Sequence, residues 1–289
     1  MAQAVENGDV VAMAGGPQPR ALIVTIYGLY ARQVDGWLSI SALVRLMAGV
    51  GVDESAVRSS ISRLKRSGLL VPQERDRSAG YGLSERAHEV LRDGDRRIFE
   101  RPRAAPGDGW VLAVFSVPES ERDKRHQLRR TLSWLGFGTV ASGVWIAPAH
   151  LESEAADALD RGDLNQYVDL FHAEYLAFRT AREQVADWWD LEGLERMYQE
   201  FVAGYKPVLT RWRRRRREDD PAAFADYLQV VTQWRRLPLL DPGLAPDLLP
   251  PNWRGAEAAD IFFELNARLA PPAQRYVDTI TRRQAGRTA

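Results

Sequence analysis

The chain has 289 residues, with 39 Lys/Arg against 39 Asp/Glu, a formal net charge of zero and no cysteine. The length is too great for one small module and suits two or three domains, and the missing cysteine excludes a disulfide framework, a Cys zinc site and a thiol nucleophile. A neutral total leaves any nucleic-acid surface to be sought in local patches. Residues 1–16 are small and mildly acidic, without a basic stretch leading into a long apolar one. They are expected to be a loose tail, not a secretory signal. No stretch of about twenty uninterrupted apolar residues suggests a membrane span, so a cytoplasmic protein with no membrane partner is expected.

Residues 21–33, ALIVTIYGLYARQ, are apolar on most sides and predict a buried helix. Gly36-Trp37-Leu38 predicts a small strand, and residues 41–49 a short helix opened by Ser39 or Ser41. Gly49-Val50-Gly51-Val52 makes the turn into the most informative segment, residues 53–67, DESAVRSSISRLKRS. Asp53 suits an N-cap and Gly68 a C′ position. Val57, Ile61 and Leu64 follow the i, i+4, i+7 spacing of one buried face. The opposite face carries Arg58, Ser59, Ser62, Arg63 and Arg66, with Lys65 at its border. Leu69-Leu70-Val71 and Tyr81-Gly82-Leu83 predict two strands around a polar turn at residues 74–80, and Ser84 caps a helix over residues 85–92.

Helix, turn, helix, hairpin, helix is the winged helix-turn-helix order, and it makes double-stranded DNA the expected partner. Arg and Lys reach guanine acceptors, and Ser serves bases or phosphates. The expected contacts are Arg58, Ser59, Ser62, Arg63, Lys65 and Arg66 on the recognition helix, Arg75 and Arg77 at the wing tip, and Tyr81. Residues 17–103 hold fifteen Lys/Arg against ten Asp/Glu, a local excess suited to neutralising phosphates. The competing reading is a merely solvated helix face.

Residues 100–108, ERPRAAPGD, predict a linker. Residues 110–117 predict a strand, 122–135 a helix, 137–147 a strand or a hairpin bent at Gly143, 151–159 a helix and 167–175 a strand. This alternation predicts a ferredoxin-like α/β sandwich. From about Val185 the chain predicts helices over 191–205, 222–235 and 256–269, whose aromatic stripes belong to a core.

The segment RRLPLLDPGLAPDLLPPNWRG, residues 235–255, resembles the C-terminal signature of PaaX-type transcriptional repressors. Trp189-Asp190-Leu191, Tyr198 and Phe201 resemble the same family. So do Arg58 to Leu64 with Gly68, and Leu135-Gly136-Phe137-Gly138 with Trp145 and Pro148. The likeness runs from Arg20 to Ile280. It implies an α+β multidomain repressor with an N-terminal winged helix, a central ferredoxin-like domain and a C-terminal helical domain. The best-known member controls phenylacetate catabolism and is released from DNA by phenylacetyl-coenzyme A, so the likeness points to an aryl-acyl-CoA effector.

The resulting division is a tail at 1–16, a DNA-binding domain at 17–99, a linker at 100–108, a central domain at 109–184 and a helical domain at 185–289. The prolines of the signature predict a rigid extended connection pinned by Leu239, Leu240, Leu248, Leu249 and Trp253. Arg235 and Arg236 either hold Asp241 and Asp247 or hold an acyl-CoA phosphate. An effector crevice between the central sheet and the C-terminal helices would use Trp134, Trp145, Tyr198 and Trp234 as walls, with Arg235 or Arg236 for charge. A fragment from Gly107 onward would then keep effector binding.

The RWRRRRR run at residues 211–217 is either a nucleic-acid or phosphate contact or a solvated helix end offset by Glu218-Asp219-Asp220. An enzyme is not expected. The central domain resembles the CRISPR-adaptation nuclease fold, but its first strand ends in Phe115-Ser116 where that fold carries an aspartate. Glu119 and Glu121 come only later. His88, His126, His150 and His172 show no metal-ligand spacing, and no cofactor or metal is implied. Together these features predict a homodimeric repressor on an inverted-repeat operator. The alternatives are a nucleic-acid-binding module without sequence specificity and a metal-dependent nuclease.

Overall fold

The computed structural model describes residues 18–176, 178–217 and 219–285. The tail expected at 1–16 lies outside them. Two compact units form, each from separated stretches of chain. The first takes residues 18–95, 199–235 and 256–285, and the second takes residues 96–198 and 236–255. The units therefore do not follow the expected chain-order division, because the segment 185–289 contributes to both.

In the first unit, α1 (Pro19–Leu29) opens on a proline at its first turn, where no N–H is needed. Strand β1 (Trp37–Ser39) leads into α2 (Ile40–Ala48), and Ser39 is the cap, accepting from Ala42 N–H at 3.1 Å. Helix α3 (Glu54–Arg66) follows the turn at residues 49–53, and α1 packs against it. Strands β2 (Leu70–Arg75) and β3 (Ser78–Leu83) form an antiparallel hairpin, and β1 adds to β3 to give the order β1-β3-β2. The polar turn expected over residues 74–80 is shorter than its composition suggests. Arg75 pairs with Ser78, leaving Asp76 and Arg77 alone in the loop, both at positive φ. That is the two-residue turn whose twist suits a hairpin. Ser84 caps α4 (Glu85–Asp95), accepting from Ala87 N–H.

The rest of this unit is helical. It takes the later part of α8 (Leu191–Arg214), α9 (Asp220–Trp234) and most of α11 (Gly255–Ala285). Two of these exceed their expected lengths: α8 continues through Pro207, and α11 continues through Pro271 and Pro272. Trp234 is fully enclosed, stacked on Phe262 at 4.5 Å and tilted against Phe201 at 5.3 Å. These helices also hold the N-terminal ones. The Thr25 and Thr232 hydroxyls share a hydrogen bond of 2.8 Å, Arg235 donates to Ala21 O, and Arg45 donates to Ile280 O at 2.9 Å.

The second unit is built on β4 (Trp110–Phe115), β5 (Gly138–Ala141), β6 (Val144–Pro148) and β7 (Val168–Ala173), in the antiparallel order β5-β6-β4-β7. Helix α5 (Arg122–Trp134) follows β4, and α6 (Glu152–Arg161) follows β6. This is the ferredoxin-like order, and residues 137–147 are a hairpin with Gly143 at φ +79°. Trp110 and Ile146 sit on one sheet face and join Val185, Leu191, Leu244 and Leu249 in a core. Val185 comes from α7 (Ala181–Trp188), which Thr180 and Glu183 cap reciprocally.

The signature segment folds otherwise than expected. Residues 236–240 form a short helix, α10, which accommodates Pro238 because its first turn needs no intrahelical N–H donor. Leu240 is exposed, so it does not pin the segment. Asp241 is buried and bound by Arg101 at 3.1 Å and Arg103 at 3.5 Å, by the Tyr198 hydroxyl at 2.8 Å and by Gly243 N–H at 2.9 Å. Its arginines thus come from the expected linker, not from Arg235 or Arg236. Burial alone would raise this carboxyl, but Arg103 and Arg101, with the two hydrogen bonds, outweigh that and hold it below the usual carboxylate range. Gly243 makes the close approach possible. It sits at φ +69°, and a Cβ there would meet Pro102 O at 2.8 Å.

Candidate nucleic-acid interface

Helix α3 is fixed at both ends and along one side. The Asp53 carboxylate accepts from Ala56 N–H at 2.9 Å, and that backbone bond, with a Ser55 hydroxyl contact, holds its carboxyl below the usual range. Val57 and Leu64 are wholly enclosed, and Ser60 and Ile61 are nearly so. The core then dictates which side chains point outward, since the helical period leaves them no choice. Arg58, Ser59, Ser62, Arg63, Lys65 and Arg66 are all exposed.

Their availability differs. Arg58 is held by Glu54 one turn back, at 2.6 Å, an exposed pair worth little that phosphate could replace. Arg63, Lys65 and Arg66 make no hydrogen bond or ion pair with the described residues. They stand in the last turn, where positive charge also suits the helix dipole.

The hairpin separates the other three expected contacts. Arg77 is exposed at the tip and without a partner among the described residues. Arg75 ends β2 and is not at the tip. Its guanidinium lies over the Trp37 ring at 5.6 Å and 3.7 Å from the Asp35 carboxylate. Tyr81 is half-buried on the central strand β3, and its carbonyl accepts from the Tyr27 hydroxyl at 3.0 Å. The positions that a duplex could reach most freely are thus Arg63, Lys65, Arg66 and Arg77.

The expected effector residues scatter. Trp234 and Arg235 belong to the first unit, while Trp134, Trp145, Tyr198 and Arg236 belong to the second. Tyr198 and Trp234 are fully enclosed in packed cores, and Trp134 and Arg235 nearly so. They have almost no surface to offer a ligand, which corrects their assignment as pocket walls. Trp145 is as enclosed as Trp134, but it lies at the edge of an open cleft of about 480 Å3 bordered by Phe115, Ser116, Thr139, Arg125 and Arg129.

Half of the arginine run is paired within the first unit. Arg211 pairs with Asp226 at 2.5 Å, Arg213 with Glu264 and Arg215 with Asp219. Those partners support the solvated helix-end reading. In the turn that follows β4, Glu119 is bound by Arg125, and Glu121 accepts from the Tyr167 hydroxyl. Among the described residues no three carboxylates or histidines are placed to share a metal ion. Nor is any helix among them long and apolar enough to cross a membrane.

Three family models match in chain order: the PaaX-like protein model over residues 18–87, the PaaX protein central Cas2-like domain over 103–185, and the PaaX-like protein C-terminal domain over 189–279. The chain belongs to the PaaX-like family. The Transcriptional repressor PaaX of Escherichia coli (strain K12) is 26% identical over 261 residues, which cover 89% of this PaaX-like chain and 82% of that protein. Among solved structures, an uncharacterized protein from Mycobacterium tuberculosis is similar in fold, with a TM-score of 0.54 and 24% identity over 89% of this chain and 97% of that one.

If this PaaX-like chain uses α3 to read bases, Arg63→Ala and Arg66→Ala each weaken binding to a specific duplex by about 1–3 kcal/mol. Arg77→Ala weakens all duplexes alike, because a hairpin tip meets backbone or minor groove. Gel-shift titrations at fixed salt check both, and unchanged affinity in all three variants would remove α3 from the interface.

Proposed function

We propose that the protein is a DNA-binding transcriptional repressor that reads its operator through a winged helix-turn-helix. Helix α3 serves as the recognition helix and the β2-β3 hairpin as the wing. The observation that carries this reading is the outward face of α3. Its three unpaired cations and two serines are set by a buried Val57-Ile61-Leu64 face, in a chain whose relative is named a transcriptional repressor. A rigid helix with free donors is what base-edge recognition in a major groove requires.

Two copies would place two such helices on an inverted repeat, with half-sites about one helical turn apart. The 480 Å3 cleft of the second unit supports an effector of mixed character. Its volume lies in the range of small-molecule sites. The partly buried Phe115 suits an aromatic ring, and Arg125 and Arg129 suit phosphates, a combination an aryl-acyl-coenzyme A carries. Ligand release then needs unequal binding to the DNA-competent and incompetent states.

The deciding experiment is a footprint on the DNA flanking the coding region. A protected inverted repeat is expected, competed poorly by unrelated duplex. Equal affinity for every duplex would leave only a module without sequence specificity. Loss of the footprint with an aryl-acyl-CoA, and its persistence in Arg129→Ala, would support the effector cleft.

A further inference from the structure

We propose that the unpaired half of the arginine run, Arg214, Arg216 and Arg217, is a platform that binds the phosphate backbone of duplex DNA beside the recognition helix. The inference rests on the DNA reading above and adds a second contact surface to the first unit.

The two halves of the run behave differently. Arg211 and the Trp212 indole both donate to Asp226 on α9, at 2.5 and 2.6 Å. Arg213 donates to Glu264 on α11 at 2.8 Å. Arg215 lies over the Trp212 ring at 4.7 Å and pairs with Asp219. These contacts fasten the end of α8 to α9 and α11. Arg214, Arg216 and Arg217 are exposed and make no hydrogen bond or ion pair with the described residues. Of the acids expected to offset the run, Glu218 lies outside the described residues. The other two are occupied. Asp219 is held by Arg215 and caps α9 through Ala222 N–H at 3.0 Å, and Asp220 is held by Arg275 at 2.8 Å.

Like charges this close in the chain repel one another, and the described acids around them are already engaged. A polyanion supplies the counter-charge that the fold does not, and it releases its own condensed counterions on binding. The latched arginines give the free ones a fixed base, which lowers the ordering cost of that contact.

The platform adjoins the segment that leads into α3. It ends at the start of α9, where Asp220 meets Arg275 on α11. The next residue of α11, Tyr276, sets its ring 5.0 Å from Phe224 of α9. Its hydroxyl stands 3.0 Å from where a Cβ on Gly49 would lie. Gly49 begins the turn into α3, and all these residues belong to the first unit. Helix α3 itself offers Arg63, Lys65 and Arg66 to bases, and such a helix depends on backbone contacts beside it to set its register. Arg77 at the hairpin tip gives one such contact. The platform gives another, on the side of the turn that precedes α3.

The test uses the full chain and a mixed-sequence duplex of about 40 base pairs, roughly four helical turns, in gel-shift titrations at several salt concentrations. Each phosphate contact adds about 0.9 to the steepness of log affinity against log salt. Changing Arg214, Arg216 and Arg217 together to Gln should make that slope shallower by about 2–3 and weaken binding at least tenfold at about 50 mM salt. Between about 50 and 200 mM salt, wild type should then lose about fortyfold more affinity than the variant. The melting temperature should not move, since these side chains hold nothing among the described residues. Lys at the same three positions should keep the wild-type slope, because phosphate accepts either cation as a charge. An unchanged slope in the Gln variant, with wild type binding duplex, would overturn the platform and leave the α3 reading standing. A wild type that binds neither this duplex nor the DNA flanking its coding region would overturn both. Equal losses in the Lys and Gln variants would overturn charge recognition. A loss seen only with single-stranded RNA would overturn duplex DNA as the partner.

Discussion

Asp241→Ala is expected to lower the stability of the second unit by about 3–5 kcal/mol, the range for removing one partner of a buried charge network. The aspartate is the shared acceptor of Arg101, Arg103, Tyr198 and Gly243 N–H. Without it, two guanidiniums and a buried hydroxyl lose their acceptor together, and Arg97 stands close by with its own charge. The pH dependence has a definite sign. A carboxyl held below its unfolded-state value stabilises the fold at every pH above that value, near 3.9 for aspartate, and the contribution fades as pH falls toward the folded value. Urea unfolding at pH 7 and near pH 3 checks this. The gap between wild type and Asp241→Ala should narrow in acid. A gap independent of pH would mean that the charge on Asp241 contributes nothing.

Leu64→Ala should cost about 2–5 kcal/mol through the cavity left beneath α3, since Leu64 is fully enclosed. Its neighbour two positions back behaves oppositely. Ser62 is exposed, so Ser62→Ala should leave the melting temperature within the range of ordinary surface changes, about 0.5 kcal/mol, while lowering duplex affinity. The pair separates folding from reading on one helix. A stable Leu64→Ala beside an unstable Ser62→Ala would mean that the two faces of α3 are assigned the wrong way round.

Much of α3 was legible in the sequence because its determinants are local. Asp53, Gly68 and the Val57-Ile61-Leu64 spacing all lie within sixteen residues, and each acts through its own helix. The β2-β3 hairpin was less legible. Nothing in Glu74 to Gly80 distinguishes a long polar loop from paired strands, because β2 and β3 alternate polar residues and the Asp76-Arg77 turn lacks glycine. The Arg75 position depends on Trp37 and Asp35, some forty residues earlier. Periodicity cannot carry that information.

The same limit explains the misreading of the signature. Pro238 does mark a helix break by local rule, yet a five-residue helix places it in the first turn. Arg235 and Arg236 were the nearest cations to Asp241 in sequence, but Arg101 and Arg103 are nearer in space, over 130 residues away along the chain. The aromatic residues Tyr198 and Trp234 were rightly read as core from their helical stripes. Assigning them also to a ligand wall asked one side chain to be both enclosed and available.

The interleaved path of the chain has a consequence for how the protein is made. The backbone passes from one unit to the other four times, after Asp95, Tyr198, Arg235 and Gly255. The N-terminal helices rest on α9 and α11 through Thr232, Arg235 and Ile280. During synthesis residues 18–95 leave the ribosome first, and the helices they rest on leave later. A chain ending before α11 holds every residue expected to touch DNA and keeps α9, but it lacks the Ile280 carbonyl that Arg45 binds and the Phe262 ring stacked on Trp234. The fragment from Gly107 has the converse defect, since it discards the helices that cover α9 and the arginines that hold Asp241. Closure of the first unit therefore waits on α11, since Arg45 gains the Ile280 carbonyl only when that helix is present.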